Sequence, residues 1–395
     1  MTQRREFEDS DSRFARALLR HGMRNAASWG DTSFRGLSQT EVAAEIHVSR
    51  PTVSGHVTRA RRLLSKGGSS LALNPDACGC VIGIDIGEAH DRVVLADIHG
   101  RIYHPDDNFE PGDYEREGSD EPPPVHLRWA AECIEDLLAR AELDPSKIWA
   151  VGVSLPGPVN KRTKRLQTVP ATLNQSWNVV DIELPERLHL PKPSVESDYN
   201  ASALTEHLWG AMRDQRHALY VKVGQRCGCS LLINHRIYRG SDGVAGRLGK
   251  TYLPRYADAG NPWIDVGNVF SLAGLGARGY RGRTAEQLVE DAHDNEQLDE
   301  LLREGARGLG IAIAPLIDAF NPESVVIGGA LGRAAFAWVA KELLDGIGSL
   351  GQSAARTAIS ERLTASAFSR ETAIRGAIAS ALLANAPARI AKAMD

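Results

Sequence analysis

Residues 38–62 constrain this chain more than any other stretch, because they specify two short helices and the break between them. Ser38 followed by Glu41 is a capping-box pair, which satisfies free backbone N–H groups where a helix starts. Val42, Ala43 and Ile46 then share one apolar face, with Ala43 small where a second helix must cross closely. His47 and Val48 supply the turn, Val48 pointing inward. Ser49 caps the second helix, Pro51 occupies its first turn, where no intrahelical N–H partner is needed, and Val53 and Val57 pin it to the first. The pattern predicts a helix-turn-helix over 37–62. Its expected DNA contacts are Ser49, Arg50, Thr52, Ser54, Thr58, Arg59, Arg61 and Arg62: short polar groups reach base edges in a major groove, and the trailing arginines suit phosphates.

An ordinary capped helix pair inside a larger fold would show the same spacing, so charge has to arbitrate. Residues 1–70 hold 12 Lys/Arg against 7 Asp/Glu, whereas the remainder holds 34 against 43. A basic head on an acidic body is the footprint of a nucleic-acid module fused to something else. The chain's 395 residues allow two or three domains, and a hydrophobic fraction of 43% with 24% charged residues is that of a soluble globular protein. No apolar run approaches a membrane span and the charged N-terminus has no signal-peptide core, so a cytoplasmic location is expected. Five cysteines (Cys78, Cys80, Cys133, Cys227, Cys229) are an odd number in a large chain and argue against a disulfide framework. Two Cys-Gly-Cys triplets form at most a weak metal signal, and the twelve histidines lack ligand spacing.

A helical pattern over 10–29 (Phe14, Leu18, Leu19, Met23) is expected to pack behind the helix pair, and Lys66–Ser70 suits a wing hairpin or a linker. Then the texture changes. The run Val81–Gly87, followed by Asp91–Asp97 and a turn at 98–101, predicts a strand and its antiparallel partner. Residues 105–124, acidic and Pro-rich, read as an exposed loop; a helix over 125–141 and a strand over 148–154 follow. A strand at 218–223 opens a second, similar series with 230–234 and 237–240, and helices dominate beyond 284. The repeated opening points to two lobes of related design.

At this point the residues resemble the ROK family of repressors and sugar kinases, within it the transcription factors with an N-terminal winged helix. Gly83-Ile84-Asp85-Ile86-Gly87 resembles the family's first phosphate-loop strand and Gly152–Val159 its Pro-Gly-Pro segment. Glu196–Leu204 resembles the stretch holding the kinases' catalytic Asp, Tyr238–Gly246 the approach to the sugar site, and Asn321–Leu331 the nucleotide-side Gly-Gly turn. The resemblance implies an α/β fold: an N-terminal winged helix-turn-helix (1–74), then a two-lobed actin-like, ribonuclease H-like ATPase-type body with a first lobe over 75–195. The second lobe, over 196–395, would carry effector-cleft and dimerisation elements.

The departures decide the expected activity. The family's kinases continue the first loop as Gly-Gly-Thr-Lys, but here it reads Gly87-Glu88-Ala89-His90, putting a charge where a phosphate would lie. Their second phosphate turn, Gly-Thr-Gly, is Gly224-Gln225-Arg226 here. Asp198 matches the catalytic base, but Ala-Gly-Glu and Gly-His have become Ala245-Gly246-Arg247 and Gly249-Lys250. The zinc-binding element maps near 264–271, where there is no cysteine. Neither kinase activity nor any metal or cofactor is therefore expected. Asn174, Asp198, Asn200, Arg247 and Lys250 are the candidate effector residues, with Trp177 beside them more a packing residue than a contact. Three readings of the cleft stay open. The added cations suit an anionic sugar derivative; Asp198 and Asn200 suit a neutral sugar; or Arg247 pairs with Asp198 or Glu196 and the cleft is vestigial. The sequence as a whole reads as a dimeric, DNA-binding transcriptional repressor of carbohydrate metabolism acting on a palindromic operator, with segments 284–318 and 334–348 available for the dimer contact. The competing readings are an active sugar kinase with an accessory DNA-binding domain and a DNA-binding protein that answers to no ligand.

Overall fold

The structure is a computed structural model that describes residues 9–25, 36–65, 71–87, 90–103, 113–117, 123–160, 163, 165–166, 184–254, 263–351, 353–369 and 371–394. Three helices open the chain: α1 (Ser10–Asn25), α2 (Gln39–Ile46) and α3 (Arg50–Ala60). The capping box at Ser38 and Glu41 forms, and Ser49 caps α3 by accepting from the Thr52 amide. His47 closes the turn in the left-handed region (φ 55°), and Val48 is half-buried behind it. Antiparallel bridges Leu37–Leu71 and Leu64–Leu73 flank the helices as a wing would; 66–70 lie outside the described residues.

The body follows as β1 (Cys80–Ile86), β2 (His90–Ala96), β3 (Asp113–Glu117), α4 (Pro123–Arg140), β4 (Ile148–Leu155), the short pair β5 (Val159–Asn160) and β6 (Arg165–Leu166), β7 (Ser194–Ser197) and α5 (Asp198–Trp209). The second series is β8 (His217–Val223), β9 (Cys227–Ile233), β10 (Arg236–Tyr238), the pair β11 (Tyr252–Pro254) and β12 (Trp263–Asp265), then α6 (Val266–Val269), α7 (Leu272–Leu275), α8 (Ala285–Asp291) and α9 (Glu296–Phe320). It closes with β13 (Ser324–Gly328), α10 (Ala330–Gly348), α11 (Ala354–Ile359), β14 (Leu363–Ala365) and α12 (Thr372–Met394). The two main sheets run β3-β2-β1-β4-β7 and β10-β9-β8-β13-β14. In each, three antiparallel strands are followed by two parallel additions, so the lobes are topological repeats. This is the expected α/β architecture of a winged head and a two-lobed body.

Two features differ from the sequence reading. The stretch expected as a loop over 105–124 contains β3, an edge strand with almost no apolar side chains; backbone pairing to β2 and the Arg116 guanidinium on buried Asp91 (2.9 Å) hold it. The last helix, α12, although it falls within 196–395, packs on β1, β4 and β7 of the first sheet and along α5. Small residues allow that. A Cβ on Gly152 would stand 2.1 Å from the Ala377 carbonyl oxygen, and one on Gly376 only 1.8 Å from that of Ala201.

The far end of α12 is the floor of the head. Phe14, Leu18, Leu19 and Met23 of α1 are fully buried in one core with Ile374, Ile378, Leu382, Ala386 and Ile390. Polar contacts follow the same seam. Pro387 has no N–H to give the Leu383 carbonyl, and the Arg16 guanidinium donates to that oxygen instead (2.5 Å). Arg62 donates to the Ala393 carbonyl in the last turn of α12, and the Trp209 indole donates to the Met23 carbonyl. A head sharing its core with the body is expected to melt with it. Leu18→Ala should cost about 2–5 kcal/mol and lower a single calorimetric transition; an early, separate head transition would contradict the shared core.

Candidate functional site

Two regions carry the expected chemistry: the outer face of α3 and the cleft between the sheets. On α3, Val53, His56 and Ala60 face inward, and all eight expected contacts, Ser49, Arg50, Thr52, Ser54, Thr58, Arg59, Arg61 and Arg62, are exposed. The Ser49 and Thr52 hydroxyls lie 2.8 Å apart, and Thr58 bonds back to the Ser54 carbonyl (3.0 Å). The arginines divide. Arg50 and Arg61 make no hydrogen bond or ion pair with the described residues, whereas Arg59 pairs with Asp11 and Arg62 holds α12. His56, which sequence reasoning missed, is buried (2% exposed), stacks on Phe14 at 5.2 Å and meets Asp11 through Nδ1. Its spacing from Val53, Val57 and Ala60 was the available signal.

In the cleft, Asp198 opens α5 at the end of β7, the placement expected of a catalytic-base position. Its carboxylate is already engaged. Oδ2 accepts from Lys222 Nζ at 2.6 Å, and Oδ1 accepts from the amides of Tyr199 (2.9 Å) and Gly157 (3.3 Å). Lys222 was not singled out in the sequence, although a lone cation in the apolar strand His217–Val223 marks a position turned towards polar surroundings. On the same sheet, Asp85 near the end of β1 lies 3.4 Å from His90. The Asp85 carboxylate beside it raises the His90 pKa against the opposing effect of burial, with Lys222 close enough to oppose it too. The phosphate turn is similarly closed on itself: the Gly224 amide donates to the Arg226 carbonyl (2.9 Å), and the Gly224 and Gln225 carbonyls accept from Leu272 and Ala273.

The other candidates fall into three groups. Asn200 is buried (1% exposed) with both ends of its amide occupied, Nδ2 on Glu196 (3.1 Å) and Oδ1 accepting from Ser230 (2.7 Å). It supports the site from behind. Glu196 is paired with Arg239 (2.8 Å) and Asp198 with Lys222, where the sequence reading had offered Arg247 as the partner of one of them. Arg247 and Lys250 are exposed on a segment tied to α5 by the Tyr199 hydroxyl, which donates to the Ala245 carbonyl (3.0 Å); Lys250 reaches Asp265 at 3.3 Å. Glu88, Asn174 and Trp177 lie outside the described residues.

All five cysteines are free thiols; burial pushes Cys78 and Cys229 up to about 12, so they stay protonated at neutral pH. Among the described residues no three His, Cys, Asp or Glu side chains are grouped to hold a metal ion, and no helix is long and apolar enough to cross a membrane.

Comparison with known proteins bears on both regions. The model of the ROK family matches residues 81–384. The xylose repressor of Caldicellulosiruptor bescii is 26% identical over 330 residues, 74% of this chain and 79% of that protein. Among solved structures, a ROK family transcriptional regulator described as a homolog of the E. coli MLC protein superposes with a TM-score of 0.70, at 18% identity over 96% of this chain and 97% of the other. The ROK hexokinase of Thermus thermophilus superposes at 0.59, with 22% identity over 77% of this chain and 98% of that one.

Breaking the cleft pair has a defined cost. Lys222→Met should destabilise by about 1–3 kcal/mol by leaving a half-buried carboxylate without its cation. Adding Asp198→Asn should recover most of that in a double-mutant cycle, and additive losses would show that the two do not interact. His90, with a raised folded-state pKa, contributes stability that is complete below the unfolded value of about 6.5 and is lost as pH rises through the folded value. His90→Gln should therefore lower the melting temperature at acidic pH and converge on the parent protein at alkaline pH.

Proposed function

The chain belongs to the ROK family, and from that premise we propose that it is a DNA-binding transcriptional regulator, a repressor of carbohydrate genes, and not a kinase. The observation that carries this reading is the pairing of a capped helix-turn-helix, with its polar face outward, to a body in which the residue at the catalytic-base position is ion-paired. A base must offer a lone pair to a substrate hydroxyl. Asp198 offers its oxygens to Lys222 and two amides. The name of the Caldicellulosiruptor relative, a xylose repressor, supports a sugar or sugar derivative as effector in the cleft, and we assign Asp198, Arg247, Lys250 and Asn174 as the side chains that would meet it. In this reading the protein acts in the cytoplasm as a homodimer on a palindromic operator, so that one two-fold axis serves both protein and DNA.

Arg50 and Arg61 carry the external contacts, and Arg59 and Arg62 reach phosphates only by leaving Asp11 and Ala393. Selection of genomic fragments by the purified protein, followed by gel shift, tests the whole reading. Enrichment of a palindromic sequence is expected. Arg50→Ala and Ser54→Ala should cost about 1–3 kcal/mol on that sequence and little on random DNA, while Arg61→Ala should weaken both alike. Sequence-blind binding, or phosphoryl transfer to a sugar that Asp198→Asn abolishes, would overturn it in favour of a kinase.

A further inference from the structure

We propose that the seam between α1 and the second lobe is an anion site that takes a phosphate group, held between Arg20 and Arg24 on the head and His235 and Arg236 on the body. Arg16, Arg20 and Arg24 lie at i, i+4 and i+8 on α1, so they form one stripe along the helix. That stripe meets the body. Arg16 reaches α12, and Arg24 lies 3.7 Å from Asp214, just beyond α5. Among the described residues, Arg24 is met only in part and Arg20 not at all. Arg24 Nε is buried with no hydrogen-bond partner, and Arg20, half-buried, has no hydrogen bond or ion pair with the described residues.

The facing wall is basic as well. His207 stacks on His235 at 5.6 Å, Arg216 donates to Asn234 (3.2 Å), and Arg236 is exposed at the start of β10. These groups sense one another. Burial lowers the Arg20 pKa, and Arg16, Arg236 and Arg24 lower it further, with Glu45 opposing. Burial pushes His207 down to about 4, helped by Arg24, His235 and Arg20. The acidic groups at hand are Glu45, itself raised by burial, and Asp214, whose side chain is 77% exposed.

Like charge on both walls of a seam is destabilising unless an anion joins them. Planar guanidinium forks from two sides suit a tetrahedral, multiply charged oxyanion better than a single carboxylate. The seam is also separate from the cleft. Asp198 begins α5 and Trp209 ends it, a helix of 12 residues and about 18 Å. A phosphate bound there would fasten the head to the body without touching Asp198. The same group can come from a free phosphorylated compound or from the nucleic-acid backbone, and the two are experimentally separable.

The full-length protein would be melted in inorganic pyrophosphate and in sodium chloride of equal ionic strength. A rise of at least about 2 °C with pyrophosphate is expected. It should vanish in Arg20→Gln/Arg236→Gln and in Arg236→Gln alone, whose exposed side chain leaves head packing intact. Arg140→Gln, an exposed charge elsewhere, should keep it. Titration calorimetry without DNA would then report the free ligand. If pyrophosphate has no effect but Arg236→Gln lowers the salt dependence of DNA binding by about one, the phosphate is that of the nucleic acid. If neither response depends on Arg20 and Arg236, the site does not exist.

Discussion

The close approach of α12 to the first sheet is the constraint on which the rest of the molecule depends. Gly83 and Gly152 are paired across β1 and β4 directly beneath it, and side chains there would strike Ile378 and the Ala377 backbone. Gly376 plays the same part against α5. A helix seated that low presents Leu382, Ala386 and Ile390 beyond the sheet edge, where α1 lays Phe14, Leu18 and Met23 on them. The position of the head is therefore set by glycines far from it in sequence. Pro387 adds specificity to the contact, because it leaves the half-buried Leu383 carbonyl without a helical donor, and Arg16 is the donor that meets it.

Helix α5 joins the same two regions by a second route. Its first residue is Asp198 in the cleft and its last, Trp209, bonds the backbone of α1. A helix of this length moves as a body, so a displacement at one end is felt at the other. That is a path and not yet a mechanism: a ligand in the cleft shifts the head only by as much as it prefers one position of α5 over another.

The local features were legible in the sequence. Both helix caps, the inward Val53 and the exposed polar row from Ser49 to Arg62 follow from spacing within a few residues, and so does the repeated strand–turn–strand opening of the two lobes. What escaped was whatever depends on a distant partner. His56 reads as a polar surface residue until Asp11 and Phe14 are placed against it. The strand at 113–117 is written in charged residues and exists through its ladder with β2. The return of α12 to the first lobe leaves no mark on its own composition; its trace is in Gly83 and Gly152, which read equally well as loop-and-strand motif residues. In the cleft, the carboxylates could be anticipated as paired, but the identity of the cations required knowing which strand faces α5.

That last point bears on what the cleft is for. A phosphoryl-transferring cleft keeps its carboxylates uncompensated because the substrate complex brings the positive charge, in the form of the metal ion. Asp85 and Asp198 both stand at strand ends of the first sheet, and a partly buried carboxylate is costly to desolvate alone. Here the chain itself supplies a partner for each, His90 at 3.4 Å from Asp85 and Lys222 at 2.6 Å from Asp198. Each of these carboxylates of the cleft is thus matched by a group of the chain itself. A ligand entering it has to replace one of these pairs with something better, and the candidates are narrow: hydroxyls that bond the carboxylate while Lys222 turns outward, or an anion that takes Lys222 and leaves Asp198 to its two amides. Either exchange pulls on the first turn of α5, the helix whose other end meets the head.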